Sequence, residues 1–276
     1  MTIREYIQAD IPAMRALWRR VFDESERFLD AFFRLLPDIG SAVVATGEGH
    51  ELLGAAYALT GFEWQRTDGT RAQIGYLYAV AVEEDARGQG IGAALSGAAA
   101  ELCRKRESQI VATLPANAPL YDWYEKTVGT RHLLFRERHA VPARKTVDIM
   151  RLTATEYMLW RGNLLRGKSF VRPSYPMLET QRALCEAYGG GLYATEDGIL
   201  AAYRDGEVLI VREILCARGD PANSTASAAA AGGMVHGPTN DATFEDRLKH
   251  FMQESDSRIA GNRLYSDRNR GRRRGR

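Results

Sequence analysis

Tyr76-Leu-Tyr-Ala-Val-Ala-Val-Glu-Glu-Asp-Ala-Arg-Gly-Gln-Gly-Ile-Gly-Ala-Ala-Leu95 is the stretch that decides the fold of this 276-residue chain. The apolar and aromatic run Ile74 to Val82 reads as a strand. It enters a polar loop, Glu83 to Gly92, with glycines at Gly88, Gly90 and Gly92. The loop opens a helix, Ile91 to Arg106, with Leu95, Ala99 and Leu102 on one face. The first amides of a helix lack internal partners and sit at the positive end of its dipole, and glycines let an anion approach the backbone closely. Arg87 adds a forked cation suited to phosphate. The stretch therefore reads as strand, phosphate cradle and helix. A tight turn holding no ligand is the plain alternative.

Working outward, Leu52 to Trp64 is a second strand, and Asp68-Gly69 between the two strands predicts an antiparallel hairpin. Ala42 to Ala45 is a short strand. Asp10-Ile11-Pro12 predicts a helix start, with Asp10 as N-cap and Met14, Leu17, Trp18, Val21 and Phe22 at helical spacing. A second apolar cluster, Phe28 to Leu36, is expected to stop before Pro37. Downstream come a strand (Gln109 to Leu114), a helix (Ala118 to Val128) and a strand (Arg131 to Val141). This is a mixed α/β domain closing near residue 145. The second half predicts helices at Thr155 to Gly167 and Pro176 to Tyr188. It then predicts strands at Leu192 to Ala194, Ile199 to Tyr203 and Val208 to Leu215, the last two joined by Asp205-Gly206. It is read as a smaller α+β domain over 150–252. Within it, 217–237 is a low-complexity loop of Ala, Gly, Ser and Pro, and Phe244 to Met252 is a short helix. Residues 253–276 are expected to form a disordered, Arg/Gly-rich tail.

Apolar residues make up 45% and charged residues 26%, enough for a substantial core. No run of about 18 apolar residues marks a membrane span, and the N-terminus has no secretory pattern. Cys103, Cys185 and Cys216 are odd in number and far apart, which suits buried free thiols in a reducing cytoplasm and no zinc site. The net charge of +2 conceals an asymmetry: Arg268 to Arg276 hold six arginines, which leaves the remainder at about −4, six charges below the whole. Such a tail could neutralise nucleic-acid phosphates. It has no aromatics interleaved for base stacking, so a solvated tail is preferred.

Two other phosphate-binding patterns are tested by the same loop. Gly88-Gln-Gly90-Ile-Gly-Ala93 satisfies a dinucleotide fingerprint, but a hairpin precedes it and no acid ends the next strand, where Pro115-Ala-Asn117 stands. No Gly-Lys-Ser or Gly-Lys-Thr supports a P-loop. The segment Val82-Glu-Glu-Asp-Ala-Arg87-Gly-Gln-Gly90-Ile-Gly92 resembles the Arg/Gln-x-x-Gly-x-Gly/Ala motif of the GCN5-related N-acetyltransferase (GNAT) superfamily. Asn117-Ala-Pro-Leu-Tyr-Asp-Trp-Tyr124-Glu-Lys resembles that family's Asn-x-x-Ala-x-x-Leu-Tyr-Glu-Lys helix. The resemblance covers residues 1–145. The second half is loosely similar to the degenerate acetyltransferase-like half of larger bacterial members, without the spaced glycines of a second cofactor site.

The resemblance implies a largely antiparallel central sheet flanked by helices, in an N-acetyltransferase using acetyl-CoA and no metal. It implies that Val80 and Val82 meet the pantetheine arm, that Arg87, Gly88, Gly90, Ile91 and Gly92 line the pyrophosphate, and that Asn117 contacts the cofactor. Tyr124 is the implied general acid that protonates the leaving thiolate, with Tyr121 as a substitute. The acceptor is a small-molecule or peptide amine. The strand Ile74 to Val82 carries no carboxylate to serve as base; Glu83 and Glu84 are nearest and read as solvated loop acids. Tyr76 and Tyr78 suit packing or an acceptor wall, and Trp18, Trp64, Trp123 and Trp160 suit core or cleft walls. His132 and His139 read as surface or satisfied histidines. Two other functions stay open: a non-catalytic acyl-CoA sensor, and a nucleic-acid-associated protein acting through the tail.

Overall fold

The Asp68-Gly69 turn organises the first sheet. The Asp68 carboxylate accepts from the Thr70 amide at 2.9 Å, closing an antiparallel hairpin between β3 (Leu52–Gln65) and β4 (Arg71–Val82). β2 (Gly40–Thr46) pairs with β3, and β1 (Thr2–Glu5) pairs with β2, both antiparallel. α1 (Ile11–Phe22) and α2 (Glu26–Ile39) connect β1 to β2. β4 leads through α3 (Ile91–Lys105) to β5 (Ile110–Thr113), which lies parallel to β4, and α4 (Ala118–Val128) follows. The sheet order is β1-β2-β3-β4-β5. The computed structural model describes residues 1–131, 149–196, 198–205 and 208–216. The strand expected from Arg131 onward, the 217–237 loop, the Phe244 to Met252 helix and the arginine tail lie outside them.

Each face of this sheet is covered by helices. Trp18 is the centre of one face, with the rings of Phe32 and Tyr57 each 4.8 Å away and those of Phe22, Phe28, Phe33 and Tyr78 within 5.9 Å. α1 and α2 supply this layer because their apolar residues recur at helical spacing and point inward. The opposite face is thinner. α3 places Ile91, Leu95, Ala99 and Cys103 against Val43, Ala56, Ala58 and Leu77. Small side chains bring this helix close to the sheet, which matters for the loop at its start.

Two helix-end expectations need correction. Asp10 stands at the N-cap position of α1 as expected, but its side chain does not make the capping bond. Its carboxylate instead takes the Arg4 guanidinium at 2.7 Å and the Ile7 amide at 2.8 Å, and the Arg4 hydrogen bond holds its pKa below the usual value. α2 does not stop before Pro37 but continues through it to Ile39. A proline in the last turn forfeits only one backbone bond, and burial of Leu36 and Ile39 holds that turn in place.

The second half forms its own sheet and also enters the first. β6 (Met150–Leu152), β8 (Gly191–Ala194), β9 (Gly198–Asp205) and β10 (Val208–Cys216) make an antiparallel sheet in the order β10-β9-β8-β6. α5 (Ala154–Leu164) is tied to it by a buried cluster. The Glu213 carboxylate accepts from the Tyr157 hydroxyl and from Arg161, each at 2.9 Å. β7 (Phe170–Pro173) leaves this unit and pairs antiparallel with β3, from Phe62 opposite Pro173 to Gln65 opposite Phe170. α6 (Tyr175–Ala187) follows and packs on α2, sending Met177 and Leu184 into the Trp18 core.

The junction turns on Gly61. It sits at φ +91° in a bulge of β3, its carbonyl accepts from the Ser174 amide at 2.6 Å, and a Cβ there would lie 2.5 Å from Ser174 Oγ. Gly61→Ala combines left-handed strain with this clash. It is expected to destabilise the protein by about 1–3 kcal/mol, read as a lower urea midpoint at constant slope.

Candidate active site

β4 and β5 pair only as far as Leu77 opposite Thr113. β5 ends there, and the chain turns through Pro115-Ala116-Asn117 into α4. Among the described residues, β4 from Tyr78 to Val82 therefore has no strand neighbour on this edge. Unpaired backbone N–H and C=O groups need partners when buried, and a polar chain laid along this edge could pair with them. On its other edge this stretch of β4 stays bound to β3, with a second irregularity besides the bulge at Gly61. Ala79 and Val80 together oppose Ala56, and Ala79 takes φ +47°. A left-handed alanine costs about 1–2 kcal/mol. Such bulges re-aim backbone and side chains beside functional sites. Val80 and Val82 flank the open edge and pack against the α3-side core.

The strand leads into the loop singled out by sequence. Glu83 makes the last backbone bond to Leu53 (2.9 Å), and a short 3-10 turn, Glu84–Ala86, is anchored by buried Ala86. Arg87 is exposed, and its Nε donates to the Val82 carbonyl at 3.2 Å, leaving the rest of the guanidinium toward solvent. Gly88 and Gly90 both take φ +79°, and nothing lies within 4 Å of where their Cβ atoms would be. Gly90 is the N-cap of α3 and no side chain caps that end, while the Ala94 amide already bonds to the Gly90 carbonyl. The amides of Ile91, Gly92 and Ala93 come before the first intrahelical bond and have no partner within the helix. Ile91 offers only its backbone, for its side chain is buried in the α3-side core.

α4 forms the other wall. The Asn117 side chain accepts from the Leu120 amide at 3.1 Å and so serves as its N-cap. Tyr124 is 4% exposed, and burial pushes its phenol up to about 12. Its hydroxyl is hydrogen-bonded to Thr113, a contact that offsets part of that rise, and the Thr113 hydroxyl is also within hydrogen-bond distance of the Leu77 carbonyl, at 3.2 Å. Thr113 thus holds Tyr124 at the point where the strands part. Sequence reading missed Thr113; its only mark is its place at the end of the strand before Pro115. Tyr121 is half-buried on the same helix.

The remaining candidates lie elsewhere. The Glu83 carboxylate is ion-paired with Arg20 of α1, and Glu84 is exposed. Tyr76 and Tyr78 are buried in the Trp18 core. Cys103 is buried beneath α3 and its thiol is pushed up to about 11 by burial, so it supplies no thiolate near neutral pH. Cys185 is also buried, whereas Cys216 is only half-buried, and none of the three is in a disulfide. His132 and His139 lie outside the described residues. Among the described residues, no group of three or more metal-ligating side chains occurs, and no helix is long and apolar enough to cross a membrane.

Residues 2–125 match the family model of the acetyltransferase (GNAT) domain. Two solved structures are similar in fold over most of the chain. A GCN5-related N-acetyltransferase from Kribbella flavida is 17% identical over 84% of this chain and 60% of its own, with a TM-score of 0.56. A conserved protein of unknown function from Enterococcus faecalis V583, described as a probable N-acyltransferase, is 13% identical over 93% of this chain and 63% of its own, also at 0.56. No curated protein matches the sequence.

Proposed function

We propose that this chain, which carries a GNAT acetyltransferase domain over residues 2–125, transfers an acetyl group from acetyl-CoA to a primary amine of a small molecule or peptide. Attack is direct, within a ternary complex. The observation that carries the reading is the continuity of two features. The open edge of β4 runs into uncapped amides at the start of α3, where glycines leave the space clear. A ligand with a diphosphate at one end and an amide-bearing arm fits that shape, and the acetyltransferase family uses such a co-substrate.

In this reading the amides of Gly90, Ile91 and Gly92, with Gly88 and Arg87, hold the pyrophosphate. Val80 and Val82 flank the pantetheine, and Asn117 borders it from α4. The thioester then lies near the fork beside Tyr124. A neutral amine attacks the carbonyl carbon, the surplus proton on its nitrogen passes to water, from which the Tyr124 phenolate is reprotonated after each turnover, and the carbon–sulfur bond breaks. The departing thiolate takes a proton from the Tyr124 hydroxyl. The buried Cys103 supports direct transfer rather than an acyl-cysteine intermediate. The domain over 1–145 carries the chemistry, and the unit over 150–252 shapes the acceptor side through β7 and α6. Cysteines outside disulfides are compatible with a cytoplasmic enzyme.

Calorimetry with CoA and acetyl-CoA, followed by thiol release over a panel of amines, tests the proposal. Saturable binding of both, and acetyl-CoA-dependent turnover with at least one amine, is expected. No uptake of either nucleotide overturns the reading, and uptake without turnover on any amine points to a binding module instead.

A further inference from the structure

The first turn of α3 and the end of β4 meet a third element. A Cβ built on Gly92 would lie 3.7 Å from Val82 Cγ2, 3.8 Å from Trp123 Cζ2 and 4.0 Å from Trp123 Cη2. Gly92 thus stands between a β4 side chain and the six-membered ring of an indole carried by α4. These are ordinary van der Waals separations, so the Trp123 ring closes the gap between the two helices at the mouth of the fork. The ring is half-buried, and its centroid is 4.8 Å from that of Tyr124, at an interplanar angle of 83°. Trp123 therefore bridges the two ends of the proposed site, the uncapped amides and the phenol.

We infer that Trp123 is a binding residue that forms the side wall of the pantetheine passage and fixes its width. The inference rests on the proposed function above. An arm leaving a diphosphate at Gly92 and reaching a thioester beside Tyr124 has to follow β4 past Val82 and Val80. Trp123 of α4 stands opposite Val82 across Gly92, at the start of that route. A broad, rigid apolar ring held against Gly92 confines the apolar part of the arm and keeps it against the strand edge. A shorter side chain opens a gap there and lets the arm wander from the backbone groups that should hold it. In this reading the ring meets the arm where it leaves the diphosphate, and the adenosine extends from the other end of the diphosphate, away from the ring.

Two ligands separate this role from a structural one. CoA carries the arm, whereas adenosine 3′,5′-bisphosphate keeps the nucleotide and lacks the arm. Trp123→Ala and Trp123→Phe are compared with wild type by calorimetry for both ligands, with melting curves to establish that each variant is folded. For Trp123→Ala, CoA affinity is expected to fall about tenfold while the bisphosphate affinity holds. CoA is also expected to change the tryptophan emission of wild type but not that of Trp123→Phe, and the bisphosphate is expected to change neither. Equal losses for both ligands, or unchanged CoA affinity, overturn the inference while wild-type CoA binding leaves the proposed function standing. If wild type takes up neither ligand, the proposed function fails first and this inference with it.

Discussion

Gly90→Val should abolish useful CoA binding, lowering affinity at least about 100-fold, equivalent to ~2.7 kcal/mol. Gly90 takes φ +79° as the residue that starts α3. A β-branched residue resists that conformation, and even an unbranched one pays about 1–2 kcal/mol to adopt it. The loop can relieve the strain only by rotating toward negative φ, which re-aims the Ile91 and Gly92 amides that follow. The new side chain also enters space that is empty around Gly90, where the diphosphate is proposed to lie. Gly90→Ala introduces less bulk and should lose less. Calorimetry with CoA measures both variants, and circular dichroism checks that α3 persists. Wild-type affinity in folded Gly90→Val would remove this loop from the role assigned to it.

Tyr124→Phe should lower kcat by about 10²–10⁴-fold, the usual contribution of a positioned proton donor, with CoA affinity unchanged. The protonation balance needs care. Burial pushes the Tyr124 phenol to about 12, whereas a free thiol titrates near 8.5. A phenol that weak would not readily protonate a solvated thiolate. The thiolate beside Tyr124 forms in the same dry fork, however, and burial raises a thiol too, as Cys103 at about 11 illustrates. A desolvated thiolate is a stronger base than a solvated one, which narrows the mismatch as charge develops on sulfur. The sign for pH follows. The active form of an acid is its protonated form, so a raised pKa moves its alkaline limit upward. Tyr124 should impose no loss of kcat below about pH 11, and the Tyr124→Phe deficit should be constant from pH 6 to 9. A kcat unchanged in Tyr124→Phe would exclude the phenol as the donor.

Local patterns carried most of the fold. The Asp68-Gly69 hairpin, the run from Ile74 to Val82 and the helix after Gly90 all stand where spacing put them, and α4 runs from Ala118 to Val128 as expected. Each is set by residues close in sequence. What escaped is set by distant partners. β1 and β7 are four residues each, with no alternating burial, and are strands because β2 and β3 offer them an edge. Pro37 misled because its cost depends on which turn it occupies. The site divides in the same way. Arg87 to Gly92 is one contiguous motif and was legible. The left-handed Ala79 has no mark in sequence, and the Thr113 contact to Tyr124 exists only once β5 and α4 are brought together.

The insertion of β7 beside β3 also has a temporal consequence. The residues paired there, such as Phe62 and Pro173, are more than a hundred positions apart. At translation rates of about 5–20 residues per second, the ribosome releases the later strand roughly 5–20 s after the earlier one. Throughout that interval the nascent N-terminal sheet carries an unfilled edge at Phe62–Gln65 and lacks Met177 and Leu184 in its core. Completion of this sheet therefore waits on synthesis of the later strand.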